Sequence, residues 1–168
     1  MVKKYLSLVK FSHTIFALPF AFIGFFMGLY FVAQQQSATM VEVLQQKQML
    51  QLFFLVLLCM VTARSAAMAF NRYLDRSFDA KNPRTAIREI PSGVIAASSA
   101  LRFVILNAVI FIAATYYINP ICFYLSPVAL FVILFYSYTK RFTALCHMVL
   151  GLGLSLAPIG AYLAVTGS

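Results

Sequence analysis

Long apolar runs broken by short polar segments set the pattern of this chain. Five runs, at roughly residues 12–33, 50–70, 97–118, 120–139 and 143–166, each approach the ~20 residues a helix needs to cross a bilayer. The interruptions differ in kind. Gln34 to Gln51 is polar with Glu42 and Lys47, and about Asn71 to Ser92 is strongly charged. Asn119-Pro120 reads as a tight turn, and Lys140-Arg141 separates the last two runs. Pro19, Pro127 and Pro158 fall inside runs, a placement that membrane helices tolerate because neighbouring groups satisfy the freed carbonyl. The first run is too long for the apolar part of a secretory leader, and no small-residue cleavage pattern follows it before Gln34-Gln35-Gln36. The pattern predicts an all-α, multi-spanning transmembrane bundle with five spans and one charged loop. There is no heptad repeat.

Composition agrees with that reading. Of 168 residues, 62% are hydrophobic and 10% charged, whereas a soluble domain carries about a quarter charged residues. The net charge of +9 does not call for a nucleic-acid partner, because topology accounts for it. Lys3, Lys4 and Lys10 precede the first run. Arg64, Arg72, Arg76, Lys81, Arg84, Arg88 and Arg102 surround the second interruption, and Lys140-Arg141 form the fourth. Twelve of thirteen basic residues thus lie on alternate sides of the spans, with only Lys47 opposed. The positive-inside rule then places the N-terminus and the charged loop in the cytoplasm. Cys59, Cys122 and Cys146 lie in apolar runs without CxxC spacing and read as small core residues.

The candidate chemistry lies at the end of the second run. The only two aspartates, Asp75 and Asp79, are four residues apart, and Asn71 lies one further step of four upstream. On a continuing helix the three side chains share one face over ~12 Å of axis. Two carboxylates ~5.5 Å apart repel by roughly 3 kcal/mol at an effective dielectric of ~20, a cost that a bound divalent cation would reverse. Hard oxygen donors with no His or Cys beside them suit Mg²⁺, which completes its shell with water and phosphate oxygens. Arg72, Arg76, Lys81, Arg84 and Arg88 supply the positive counterpart expected around a polyanion such as diphosphate. A solvated loop whose arginines only orient the protein explains the cations but not the Asn/Asp/Asp row, since carboxylates are costly near hydrocarbon.

These residues carry a resemblance. The stretch RSAAMAFNRYLDRSFDAKNPRTAIREIPSG, Arg64 to Gly93, is similar to the first aspartate-rich motif and following loop of the UbiA superfamily, membrane aromatic prenyltransferases of the 4-hydroxybenzoate polyprenyltransferase kind. The run Asn82-Pro-Arg-Thr-Ala86, then Arg88 and Pro91-Ser92-Gly93, makes the match specific. Tyr136-Ser-Tyr-Thr-Lys140-Arg141-Phe-Thr143 resembles the family's YxxxK element and an overlapping KR-x-T. The resemblance implies a nine-helix fold with a polar cavity opening to the cytoplasm of a bacterial inner membrane. It implies that Asn71, Asp75 and Asp79 bind Mg²⁺ and the diphosphate of a polyprenyl donor. Lys140 and Tyr136 contact the diphosphate and help the allylic C–O bond break, with Arg72, Arg84 and Arg88 as further contacts. An aromatic acid accepts the prenyl group in ubiquinone or menaquinone synthesis. The family's second aspartate-rich motif follows its sixth helix and has no counterpart here, so the chain is expected to correspond to an N-terminal portion of a family member. Lys10-Phe-Ser-His13-Thr14 and Ala157-Pro158-Ile-Gly160-Ala161 resemble a menaquinone-linked subgroup.

Other residues carry blander expectations. His13 reads as an interfacial histidine and His147 as structural. Gly151-x-Gly153, with Gly160 beyond, reads as a helix-packing stripe rather than a nucleotide loop. Arg64 and Arg102 are placed to snorkel, with Arg64 a candidate for the cavity. Glu42 and Glu89 are isolated in sequence. Two competing functions are a cation-coupled carrier using Asp75 and Asp79, disfavoured because transport sites lie near the bilayer midplane, and a non-catalytic membrane protein derived from the enzyme.

Overall fold

A computed structural model describes residues 2–143 and 145–167, the side chains of Val2, Phe11, Ser12, His13 and Phe16 excepted. The expectation for the His13 side chain therefore lies outside the described residues. Seven helices follow one another: α1 (Val2–Leu8), α2 (Phe11–Gln36), α3 (Met40–Gln45), α4 (Lys47–Asp79), α5 (Ala97–Ile118), α6 (Pro120–Thr139) and α7 (Cys146–Thr166). Five of them, α2 and α4 to α7, are long and apolar enough to cross a membrane. No strand occurs among the described residues. The protein is a polytopic helical membrane protein, as the hydropathy pattern predicts.

Helix ends follow local chemistry. Ser37 ends α2 in a left-handed conformation (φ 52°), its N–H directed to the Ala33 and Gln34 carbonyls. Thr39 and Glu42 form a capping box that starts α3. The two Thr39 hydrogen bonds, backbone first, hold the exposed Glu42 carboxyl below its ordinary value. This support is complete above the unfolded value and fades as pH falls through the lower folded one. Asn119 ends α5 and caps α6, with Pro120 at the first helical position. Its Oδ1 accepts from Cys122 N at 2.7 Å, and its Nδ2 donates to the Leu163 carbonyl of α7 at 2.9 Å. Asn119→Ala is expected to cost about 1–2 kcal/mol, combining a lost cap with a lost interhelical bond. Asn119→Ser should recover about half by restoring the cap alone, as read from thermal melts in detergent.

The spanning helices form a ring in the order α2, α4, α5, α6, α7, with α7 packing back on α2 and α4 reaching across to α6. Phe25, Leu29, Met49, Val56, Ala161 and Val165 fill one core between α2, α4 and α7. Ala66, Ala69, Ala100 and Val104 join α4 to α5, and Leu8, Val9, Ile90 and Ile95 close over that seam. The ring surrounds a cavity of about 320 Å³.

One sequence expectation is met and another needs correction. The second apolar run stops near residue 70, and α4 continues past it through Asn71 and Asp75 to Asp79, as the Asn71/Asp75/Asp79 row requires. With 33 residues at 1.5 Å each, α4 is about 50 Å long and outruns a ~30 Å hydrocarbon core. The glycines of α7 are not the close-packing stripe. A Cβ at Gly151 or Gly160 meets nothing within 4 Å, and one at Gly153 only Ile133 at 3.9 Å. Gly153 and Gly160 line the cavity. Close approach instead occurs at Gly24 and Gly28 of α2, against Pro158, Tyr162 and Val165 of α7.

Candidate metal and diphosphate site

The cationic segments converge at one end of the bundle. Ser7 donates to Glu89, Lys140 reaches Asn71 and Asp75, and Arg141 reaches the Leu74 carbonyl at 2.7 Å. Asn119 and its bond to Leu163 belong to the other end. Residues 80–96, between α4 and α5, are held by their own polar groups. Asn82 Oδ1 accepts from Arg84 N (3.0 Å), and the Thr85 hydroxyl donates to the Asp79 carbonyl (3.0 Å). Gly93 adopts φ +76°, a left-handed turn that suits glycine. The Asn-Pro-Arg-Thr-Ala and Pro-Ser-Gly runs thus shape a compact turn over the end of α4.

Asn71 and Asp75 converge on one cation: Lys140 Nζ donates to Asn71 Oδ1 and to Asp75 Oδ2. Arg141 Nη2 lies 3.7 Å from Asp75 Oδ1. Asp79 is held apart from that pair. A single nitrogen of Arg88 donates to both its oxygens at 2.8 Å, and Asp79 is buried. Arg72 is also buried, 6% exposed, within electrostatic reach of Asp75, Asp79, Arg88 and Glu89. One Arg72 guanidinium nitrogen lies 3.9 Å from Glu89 Oε2, and neither atom has a hydrogen-bond partner among the described residues.

The cavity begins at this cluster. Asn71, Arg64, Tyr136 and Ser137 line it, and its wall continues through Met68, Ala63, Cys59 and Val56 on α4 to Ile118, Cys122 and Leu163 at the far end. The fifteen residue-to-residue steps from Val56 to Asn71 correspond to about 22 Å of helix, so the polar mouth leads into a long apolar channel. Tyr136 lies one turn before Lys140, on the cavity wall. Arg64 is a cavity residue whose buried Nε has no partner among the described residues.

The other candidates fall outside this convergence. The Arg84 side chain is exposed, with no partner among the described residues. Arg76 folds back on Tyr73, bonding its carbonyl at 2.6 Å and covering its ring at 4.3 Å. Arg102 and His147 are exposed. Two contributors were not visible in the sequence. Glu89, isolated there, joins the site through Ser7 and Arg72, because α1 folds back onto the loop from 82 positions away. Arg141 is anchored beside Asp75, and only its adjacency to Lys140 hinted at this.

Among the described residues no group of three or more His, Cys, Asp or Glu side chains could hold a metal ion. The donor set nevertheless fits Mg²⁺, which takes one or two carboxylates and leaves room for phosphate oxygens. Asn71 and Asp75 present oxygens that already meet on one positive charge, at the negative end of the α4 dipole.

Fold and site together define a polytopic membrane protein with an acid–amide pair and a ring of cations at the mouth of an apolar channel. The model of the UbiA prenyltransferase family matches residues 17–168, and the chain belongs to that family. It is 39% identical over 104 residues to a 4-hydroxybenzoate octaprenyltransferase of Tolumonas auensis, covering 62% of this chain and 36% of that protein. A protein of the same description from Shewanella woodyi is 30% identical over 119 residues, covering 71% and 42%. The apo structure of a UbiA homolog from Aeropyrum pernix K1 superposes with a TM-score of 0.77 at 30% identity, covering 93% of this chain and 51% of that one. The chain therefore spans about half the length of the solved homologue, and less of the curated relatives.

Proposed function

We propose that the chain forms the donor-binding part of a Mg²⁺-dependent polyprenyltransferase. It would take a polyprenyl diphosphate and pass the prenyl group to an aromatic acid such as 4-hydroxybenzoate, in quinone biosynthesis. One observation carries this reading: the Asn71–Asp75–Lys140 cluster lies at the mouth of the channel whose apolar wall runs about 22 Å inward. A diphosphate head and a polyprenyl tail require that combination, and a carrier for small cations does not. The descriptions of the curated relatives supply the acceptor class.

In this reading Asn71, Asp75 and Asp79 hold the metal, and Lys140, Tyr136, Arg72 and Arg88 serve the diphosphate, while the exposed Arg84 stays outside the cluster. Mg²⁺ supplies Lewis-acid stabilisation of the charge that develops on the leaving oxygens. Lys140 adds an ammonium at the same place, and Tyr136 a hydroxyl one turn away. The allylic C–O bond breaks with its electron pair leaving on diphosphate, and the electron-rich ring carbon forms the new C–C bond as the ring gives up a proton. Phe111, Ile133 and Leu154 on the channel wall exclude water from the cation. The residues lie in a bacterial inner membrane with the N-terminus and residues 80–96 facing the cytoplasm, on the strength of the charge asymmetry.

Two measurements test this. Asp75→Ala should weaken diphosphate binding by calorimetry at least tenfold more in Mg²⁺ than in EDTA, since a carboxylate that acts only through the metal matters only when metal is present. Equal losses in both media would exclude a metal role. A cysteine at position 81 in a background free of other cysteines should resist impermeant maleimides in intact cells and react in inverted vesicles. The opposite labelling would reverse the topology.

A further inference from the structure

The oxygens offered to a metal here are already neutralised from within the chain. Lys140 Nζ takes one oxygen from Asn71 and one from Asp75, and the Asp75 and Lys140 side chains are only 17% and 24% exposed. Salt screens such a pair weakly. A divalent cation at those oxygens would lie beside the ammonium group, and the repulsion between like charges in this little-exposed site drives Lys140 away as metal enters at Asn71 and Asp75.

The neighbouring cation is not free to exchange in this way. Arg141 is fixed on the Leu74 carbonyl at 2.7 Å and lies 5.3 Å from the Phe78 ring centroid. Lys140 stands at the end of α6, and its flexible stem and three donors suit it to swing between acceptors. A displaced, half-buried ammonium needs new oxygens, and a diphosphate beside the metal provides them.

We propose that Lys140 is a built-in counterion of Asn71 and Asp75, which a divalent cation must displace and which diphosphate draws away. This rests on reading the cluster as a metal–diphosphate site. Metal and diphosphate then bind with positive linkage through one side chain, and each strengthens the other equally. Bare metal binds weakly because Lys140 competes with it, and bare diphosphate gains Lys140 only by stripping Asp75 of its partner. The site is thereby selective for the metal–diphosphate pair.

The test is Mn²⁺ binding, followed by electron paramagnetic resonance on the purified full-length protein without diphosphate. Binding by the Asp75→Ala variant is subtracted as background. Lys140→Met is expected to bind Mn²⁺ about tenfold tighter than the unsubstituted protein, within the range of site couplings. Lys140→Arg, which keeps the charge, should bind it as weakly as the unsubstituted protein. Inorganic diphosphate added with Mn²⁺ should bind less tightly to Lys140→Met. Lys140→Gln replaces the Met variant if melting curves show the latter misfolded. If neutral variants bind Mn²⁺ no more tightly than the unsubstituted protein, the counterion proposal falls alone, provided the unsubstituted protein shows Mn²⁺-dependent diphosphate binding. If it shows none, the reading of the site falls too.

Discussion

In the proposed prenyltransferase, Asp75→Asn is expected to reduce prenyl transfer by about 10²–10³-fold, the effect of removing one preorganised electrostatic contact from a developing charge, with little change in thermal stability. Asp75 faces Lys140 and Arg141, and those two cations keep Asn71 Oδ1 and the Leu74 carbonyl as acceptors when the carboxylate is gone. Asp79→Asn should behave differently. Arg88 grips both Asp79 oxygens, and the Thr85 hydroxyl bonds the Asp79 carbonyl, so this pair ties residues 80–96 to the end of α4. Asp79 is nearly enclosed and Arg88 about a third exposed. The cost therefore lies between that of surface and buried pairs, about 2 kcal/mol, or roughly 4–8 °C in Tm for a chain of this size. Any metal gained at Asp79 must also displace an arginine, so its functional loss should be the smaller of the two. Melting curves and prenyl transfer, measured side by side on the two variants, check the contrast. Equal loss of stability would mean that Asp75, too, is a structural anchor.

The division of labour between Asp75 and Asp79 could not be read from the chain. Their spacing places them on one helical face together with Asn71, and α4 does continue through them. Spacing along a helix cannot say which cations arrive from elsewhere. Lys140 comes from 69 positions away and Arg88 from nine, and these two partners separate a row that looks uniform in sequence. The limits of α5 and α6 were legible, because Asn119-Pro120 carries its own stop and start chemistry. The extension of α4 past residue 70 was visible in the Asn71/Asp75/Asp79 spacing but not in hydropathy, because hydropathy reports burial in lipid and Arg72 and Asp79 are buried by ion pairs. Helix α1 was hidden for a related reason. It is seven residues long, too short for a periodic signal, and docks through Leu8, Val9 and the Tyr5–Phe103 ring stack.

The contact between α2 and α7 is expected to be the most sensitive in the bundle. A Cβ at Gly24 would lie 2.0 Å from the Pro158 carbonyl oxygen and 2.6 Å from two other Pro158 backbone atoms. One Cα hydrogen of Gly24 therefore points at that carbonyl, in the manner of the weak C–H···O contacts found where membrane helices cross closely. Side chains can turn aside from a new methyl group, but the Pro158 backbone belongs to the helix and cannot. Gly24→Ala must push α2 and α7 apart, loosening the layer of Phe25, Leu29, Ala161 and Val165. It should cost at least about 3 kcal/mol, the upper end of overpacking penalties. Gly28→Ala meets Val165 Cβ at 2.9 Å and the Tyr162 carbonyl at 3.2 Å. Its neighbours are partly side chain, and it should cost about 1–2 kcal/mol. Gly160→Ala meets nothing within 4 Å and should be neutral or slightly stabilising, since alanine favours helix over glycine by about 1 kcal/mol. Denaturant titration of the three variants in mixed micelles gives the order directly. If Gly24→Ala were no worse than Gly160→Ala, α2 and α7 would not cross at this point.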